Sequence, residues 1–307
     1  MLAIQKRLQS SKAYVLEDPP DRQDFAEPDI DLASLAANCH ASLRRRSAPK
    51  VKRAANAANA RQLETSNRTI RPIVCGVSMP EVMFNGPGGR IEGRFHPSTI
   101  RGAPIAIILH PHPQFGGTMN NQIVYNLYYT FAERGFSVLR FNFRGVGRSQ
   151  GGFDHGQGEL SDAAAALDWA QAVSPEARAC WIAGISFGAW IGMQLLMRRP
   201  EIEGFVAIAP PASRFDFSFL APCPSSGLFV HGDRDRVAPL KEVTGLIEKL
   251  KTQKGISIEH VIIPGANHFF ENCIELLAEE VGLYLDRRLG NPPRLPTPTR
   301  SEPAERR

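Results

Sequence analysis

Apolar residues between positions 79 and 290 follow two rhythms that take turns along the chain. Unbroken apolar runs have the length and make-up of buried strands: PIAIILH at Pro104–His110, FSVLRFN at Phe136–Asn142, CWIAGI at Cys180–Ile185, then GFVAIAP, GLFVHG and SIEHVII. Between them lie stretches with helical spacing, from about Gln122 to Arg134 (closed by Gly135), through DAAAALDWAQ, which Ser161 can cap, and from Phe187 until Pro200. Two more run from about Leu240 to Lys251 and from about Glu271 to Arg288. Ahead of this alternation, EVMF and RIEGRF flank NGPGG and predict a β-hairpin between Met79 and Phe95. A hairpin followed by alternating strands and helices predicts an α/β fold, a mostly parallel sheet with helices on both faces. In such sheets ligands gather outside the carboxyl ends of the strands. The loops after His110, Asn142, Ile185, His231 and Ile263 all fall on that edge.

One of these junctions carries a serine between two glycines, Gly184-Ile185-Ser186-Phe187-Gly188. The strand ends at Ile185 and helical spacing begins at Phe187, so Ser186 must turn the chain within one residue, at a backbone cost of about 1–3 kcal/mol. Glycines two positions away on each side let strand and helix approach without Cβ clashes. The hydroxyl then projects from the sheet edge, and the helix N-terminus offers free N–H groups to an oxygen beside it. This is the pattern of a nucleophile elbow. GxSxG arises by chance in about one chain of this composition in eight, so partners must decide its meaning.

A serine hydroxyl needs a base, and imidazole has the right pKa. His268, in PGANHFF, follows strand SIEHVII on the active edge; His260 lies inside that strand and reads as structural, His40 lies in the tail-like first segment, and His96 and His155 have no identifiable partner. The base needs a carboxylate to fix its tautomer. Of the two in GDRDRVAP, Asp235 reaches toward the His268 loop, and Asp233, directly after Gly232, reads instead as a turn brace or cap.

The chain order Ser186, Asp235, His268 resembles that of the α/β-hydrolase superfamily. The likeness extends from Met79 to about Gly290. NFRGVGRS (Asn142–Ser149) resembles the family's RGxGxS loop, GDRDRVAP its acid loop, which again selects Asp235, and ILHPHPQFGGTMNN its oxyanion loop. Within the superfamily the chain is similar to small lidless bacterial serine hydrolases, relatives of serine-aminopeptidase-like and dienelactone-hydrolase-like members. The resemblance implies an oxyanion hole built from backbone N–H groups, with Phe187 as one donor. Where the family has His-Gly, this chain has His110-Pro111, and neither Pro111 nor Pro113 has an N–H. By position the second donor is His112, with Gln114 behind it. HPH has a rival reading as a metal pair, but further ligands would have to come from residues already engaged, so no metal or cofactor is expected and His110 reads as a brace.

Composition changes the picture mainly at the ends. The chain has 307 residues, 43% hydrophobic and 22% charged, with a net charge of +5. Residues 1–78 alone carry +5 and residues 291–307 carry +2, leaving −2 for the middle, so no basic face for nucleic acid is expected on the core. Stretches such as ASLRRRSAPKVKRAANAANARQ predict a flexible basic extension over 1–78, or sequence upstream of a start at Met79; the Pro-rich 291–307 predicts a disordered tail. The expected catalytic domain is 79–290. No apolar run is long enough for a membrane span, and the first residues lack a signal-peptide core. Five scattered cysteines without a CxxC point to reduced thiols and the cytoplasm.

Only PASRFDFSFLAPCPSS separates GFVAIAP from GLFVHG, too little for a cap domain, so the site should be open, with Phe215, Phe217 and Phe219 either forming an apolar wall or buried. The expected activity is hydrolysis of small-molecule carboxylic esters or thioesters through an acyl-enzyme on Ser186, Asp235 and His268. A peptidase, an aminopeptidase or an acyltransferase on the same residues is the alternative. A binding module without catalysis is disfavoured because all three residues are present.

Overall fold

Unbroken apolar strands are stable only in a sheet covered from both sides, and this chain uses them that way. The computed structural model describes residues 80–290, all within one compact unit; the readings of residues 1–79 and 291–307 lie outside the described residues. Along the chain run β1 (Glu81–Gly86), β2 (Gly89–His96), β3 (Ile105–Leu109), α1 (Gln122–Ala132), β4 (Ser137–Phe141), α2 (Gln157–Val173), β5 (Cys180–Ile185) and α3 (Phe187–Leu196). They are followed by β6 (Ile202–Ile208), β7 (Ser226–Gly232), α4 (Leu240–Lys251), β8 (Ile258–Ile263) and α5 (Ile274–Leu289). The eight strands form one sheet in the order β1-β2-β4-β3-β5-β6-β7-β8. The hairpin β1–β2 and the pair β2–β4 are antiparallel, and every other pair is parallel.

Alternation within the strands sorts side chains between two cores. Ile105, Ile107 and Leu109 of β3 and Cys180 and Ile182 of β5 pack with α2, α3 and α4, through residues such as Ala166, Ala170, Ile191 and Ile247. Ala106 and Ile108, with Trp181, Ala183 and Ile185, pack with α1 and α5 through Leu127, Phe131, Val281 and Tyr284. Helices therefore cover both faces of a mostly parallel sheet, the α/β architecture that the apolar runs predict.

Two helix starts differ from the sequence reading. The helix expected to begin under a Ser161 cap begins at Gln157, and Ser161 lies inside it, its hydroxyl donating to the Gln157 carbonyl. The start is set by buried Glu159, whose carboxylate accepts the amides of Gly156 at 2.7 Å and Asp154 at 2.9 Å. At the other end, α5 starts at Ile274 rather than near Glu271, because Phe270 and Asn272 have φ of 52° and 60°, incompatible with a right-handed helix.

Among the described residues no cap domain interrupts the sheet. The link from β6 to β7 contains only one short 3-10 turn, Ser218–Leu220. Of the three candidate wall residues, Phe217 is buried in the core, whereas Phe215 and Phe219 are half-buried. Among the described residues no helix is long and apolar enough to cross a membrane.

The loop after β4 is held by charge. Asp162 of α2, with a fully buried side chain, accepts the Arg144 backbone amide at 3.1 Å, Nε at 2.9 Å and Nη2 at 2.8 Å. Asp162→Ala leaves the Arg144 guanidinium only the more distant and exposed Asp154 at 3.8 Å, a loss of about 3–5 kcal/mol, and each kcal/mol is worth about 2–4 °C in a chain this size. The melting temperature should therefore fall by roughly 10 °C; a fall of only a degree or two would mean that the pair does not hold this loop.

Candidate active site

The turn from β5 to α3 is made by Ser186 alone, with φ 54° and ψ −120°. Its amide donates to the Ile208 carbonyl at 2.9 Å, and its carbonyl accepts the Ala189 amide at 2.9 Å. A Cβ on Gly184 would lie 2.5 Å from the Gly188 oxygen, and one on Gly188 would lie 2.5 Å from the carbonyl oxygens of both Leu109 and His110. Only glycines allow this approach, and it brings the first turn of α3 against the end of β3.

Three loops meet at the serine hydroxyl. His268 Nε2 is 3.0 Å from Ser186 Oγ, and His268 Nδ1 is 2.7 Å from Asp235 Oδ2. The other carboxylate oxygen of Asp235 accepts the amides of Val237 and Ala238, both at 2.8 Å. Burial pushes the Asp235 carboxyl up, but the hydrogen bond and charge of His268, the Ala238 amide and His231 together bring it below its ordinary value. An ionised Asp235 places the imidazole proton on Nδ1 and leaves Nε2 as an acceptor for the serine hydroxyl.

Asp233 does different work. It accepts the Gly265 amide at 2.6 Å, tying its loop to the turn that carries His268. The Arg234 amide adds a second stitch to the Ala266 carbonyl at 3.0 Å. The two aspartates of GDRDRVAP thus make the contacts expected of them, Asp235 with His268 and Asp233 as a brace of the turn.

The oxyanion-type loop is anchored at both ends. At its start, buried His110 accepts the Phe143 amide on Nε2 at 3.0 Å and donates from Nδ1 to the Pro111 carbonyl at 2.6 Å. With both ring nitrogens engaged, His110 has no lone pair for a metal, which counts against the HPH metal pair. At its far end, the Met119 amide donates to Asn142 Oδ1 at 2.8 Å, and Arg140 Nη1 donates to the Met119 carbonyl and to Asn120 Oδ1. Asn142 is held in turn by buried Glu92, which also accepts the Arg148 amide. Between these anchors the His112 carbonyl accepts the amides of Phe115 and Gly117, and the His112 ring lies 4.8 Å from the Phe187 ring. Among the described residues, the backbone amides of His112 and Phe187 donate to no protein acceptor.

Sequence reasoning did not single out His231, Glu92 or Arg140. His231, fully buried at the end of β7, donates from Nε2 to the Ala238 carbonyl at 2.7 Å and sits 3.4 Å from Asp235 Oδ2. Its one visible signal is a histidine ending an apolar strand four residues before the acid. Glu92 and Arg140 lie within strands, where their partners, far away in sequence, give no local sign.

Burial lowers His110 from an ordinary 6.5 to about 4, partly offset by the Pro111 carbonyl and reinforced by His112. The folded protein therefore binds fewer protons than the unfolded chain between these values, so stability is full above pH 6.5 and falls as pH drops toward about 4. For His110 alone that window corresponds to about 3 kcal/mol. Melting curves from pH 7 to 4 should show a steeper acid decline in the parent than in His110→Asn; parallel curves would rule out a neutral, buried His110.

Comparison with known proteins places this chain in a family. The family model for X-Pro dipeptidyl-peptidase (S15 family) matches residues 93–230, a span that includes Ser186 but ends before Asp235 and His268. An uncharacterized protein of Rickettsia prowazekii (strain Madrid E) is 52% identical over 211 residues, 67% of this chain and 89% of that one. Among solved structures, a protein of unknown function from Agrobacterium tumefaciens, a candidate α/β hydrolase, is 70% identical with a TM-score of 0.68, covering 69% of this chain and 97% of its own. An α/β serine hydrolase without a lid from Xanthomonas campestris is 32% identical with a TM-score of 0.62, covering 71% of this chain and 97% of its own. Matched along nearly the whole length of these relatives, this chain belongs to the α/β-hydrolase superfamily.

Proposed function

We propose that this protein is a serine hydrolase of small-molecule carboxylic esters, thioesters included, acting through an acyl-enzyme. The observation that carries the reading is the hydrogen-bonded line from Ser186 Oγ through His268 to Asp235, with contacts of 3.0 and 2.7 Å. In the first half-reaction Ser186 Oγ attacks the ester carbonyl carbon while His268 Nε2 takes its proton. Asp235 stays ionised, holds the imidazole and stabilises its cation. The carbonyl oxygen, now negative, is taken up by the Phe187 and His112 amides. The tetrahedral intermediate collapses as His268 returns the proton to the leaving oxygen or sulfur. In the second half, water attacks the acyl-enzyme, His268 takes the water proton, and the acid leaves as Ser186 recovers its own.

Two unpaired amides beside a half-buried serine suit this chemistry because they need no reorganisation when charge develops, and one such donor is typically worth about 10²–10³ in rate. None of these steps calls for a metal or cofactor. Free Cys180, Cys223 and Cys273 fit a reducing compartment, and we place the enzyme in the cytoplasm. A second reading, peptidase, is favoured by the S15 family match. It uses the same residues but must expel an amine, a poorer leaving group that His268 has to protonate in the transition state.

A panel of esters, thioesters and aminoacyl amides separates the two. Esters should be cleaved, and Ser186→Ala should lower kcat by about 10⁶ without changing the melting temperature appreciably. Asp235→Asn should cost about 10⁴ in kcat through the wrong imidazole tautomer, whereas Asp233→Asn should act mainly on stability. Cleavage of amides in preference to esters would favour the peptidase; full activity in Ser186→Ala would exclude both.

A further inference from the structure

A wall of rings that the chemistry above leaves unused stands beside Ser186. The His112 ring centroid lies 4.7 Å from Phe115, 4.9 Å from Phe153 and 4.8 Å from Phe187. From Phe187, which directly follows the serine, the surface continues to Trp190 at 5.7 Å and Phe215 at 5.9 Å. Trp190 and Phe215 are stacked, 4.4 Å apart with 23° between their planes. Phe187 is buried and forms the backing, Phe115 is exposed, and His112, Phe153, Trp190 and Phe215 are half-buried. What this side of the site offers to an incoming molecule is therefore aromatic.

The wall is also fixed in place. Trp190 Nε1 donates to the Asp216 carbonyl at 3.1 Å, which secures the segment bearing Phe215 against α3. The His112 ring is set by the Gln114 amide, which donates to its Nδ1 at 3.2 Å. That bond assigns the proton to Nε2, which donates to no acceptor among the described residues. Burial, with the charge of His155, lowers His112 to about 4, so the ring is neutral at working pH. The wall thus carries one uncharged hydrogen-bond donor within a field of rings.

Position decides which part of a substrate meets it. A leaving group must face His268 Nε2, which protonates it, so the acyl substituent lies away from His268, toward α3 and the loop of His112. We propose that this wall is the acyl-binding surface, and that it selects esters whose acyl group carries an aromatic ring bearing a hydrogen-bond acceptor, the ring resting on Phe153, Trp190 and Phe215 and the acceptor taking the Nε2–H of His112. The proposal rests on the ester-hydrolase reading. A ring is favoured over a long alkyl chain for two reasons. Ring–ring contacts add attraction beyond the area they bury. With no lid to enclose it, an alkyl chain would also have to freeze its rotamers against an open surface, a cost a rigid ring avoids.

The test compares three methyl esters of similar intrinsic reactivity: nonanoate, hydrocinnamate and para-methoxyhydrocinnamate, with methyl acetate as the reference. In the parent, kcat/KM for hydrocinnamate should exceed that for nonanoate by about fivefold to tenfold. The methoxy group should add about a further fivefold. His112→Phe keeps the rings and removes the donor, so it should retain the first preference and lose the second. Trp190→Leu should lose the first. Equal rates for nonanoate and hydrocinnamate, or a methoxy gain that survives in His112→Phe, would overturn the proposal. If no ester is cleaved, the ester-hydrolase reading falls, and binding decides the wall separately. Saturable quenching of Trp190 fluorescence by para-methoxyhydrocinnamamide, weakened in His112→Phe and absent in Trp190→Phe, supports it; no saturable quenching overturns it.

Discussion

At Ser186 the chain must leave a buried strand and enter a helix within one residue, and the rest of the site depends on that turn. The left-handed φ of 54° places the serine where an L side chain is disfavoured by about 1–3 kcal/mol. Packing holds it there: Ile185 and Phe187 on either side are buried in opposite cores. Because Gly188 lets α3 press on the last carbonyls of β3, the loop that begins at His110 is forced alongside the first turn of α3. The same contact that strains Ser186 therefore sets where the amides of Phe187 and His112 stand.

Electrostatics at the serine follow from burial. Asp235 is buried but fully served, by His268 on one oxygen and by the Val237 and Ala238 amides on the other. A carboxylate so held keeps its charge where a lone one would be neutralised. His110, His112 and His231 are all lowered by burial, which favours the uncharged form of each imidazole around the site. The loops that carry these groups are tied to rigid elements by buried polar contacts: Asp233 to Gly265, His110 to Phe143, Arg140 and Asn142 to the Met119 turn. Among the described residues the edge is thereby ordered without a covering domain.

Much of this is legible in the sequence. The bounds Cys180–Ile185 and Leu240–Lys251 match the apolar run and the helical spacing, because in a two-sided sheet burial and periodicity carry the same signal. Ser186, Asp235 and His268 each stand after a different strand, and the loops bring the three within hydrogen-bond distance. What was not legible depended on contacts distant in sequence or on backbone that residue type does not announce. The start of α2 is set by a buried Glu159 reaching back to Gly156, although Ser161 looked like the better cap. The late start of α5 comes from positive φ at Phe270, a residue that carries no turn signal. Glu92, Arg140 and His231 acquire meaning only once β2, β4 and β7 are set beside their loops.

The most direct test of the central claim, that the elbow aims Ser186 at His268 and at two backbone amides, is a crystal structure of the protein after reaction with an alkyl phosphonate ester. The phosphorus should be bonded to Ser186 Oγ, with the phosphoryl oxygen about 2.7–3.1 Å from the backbone nitrogens of both Phe187 and His112. His268 Nε2 should face the position from which the leaving group departed. A phosphonate attached elsewhere, or a phosphoryl oxygen turned to solvent and away from both amides, would contradict the account.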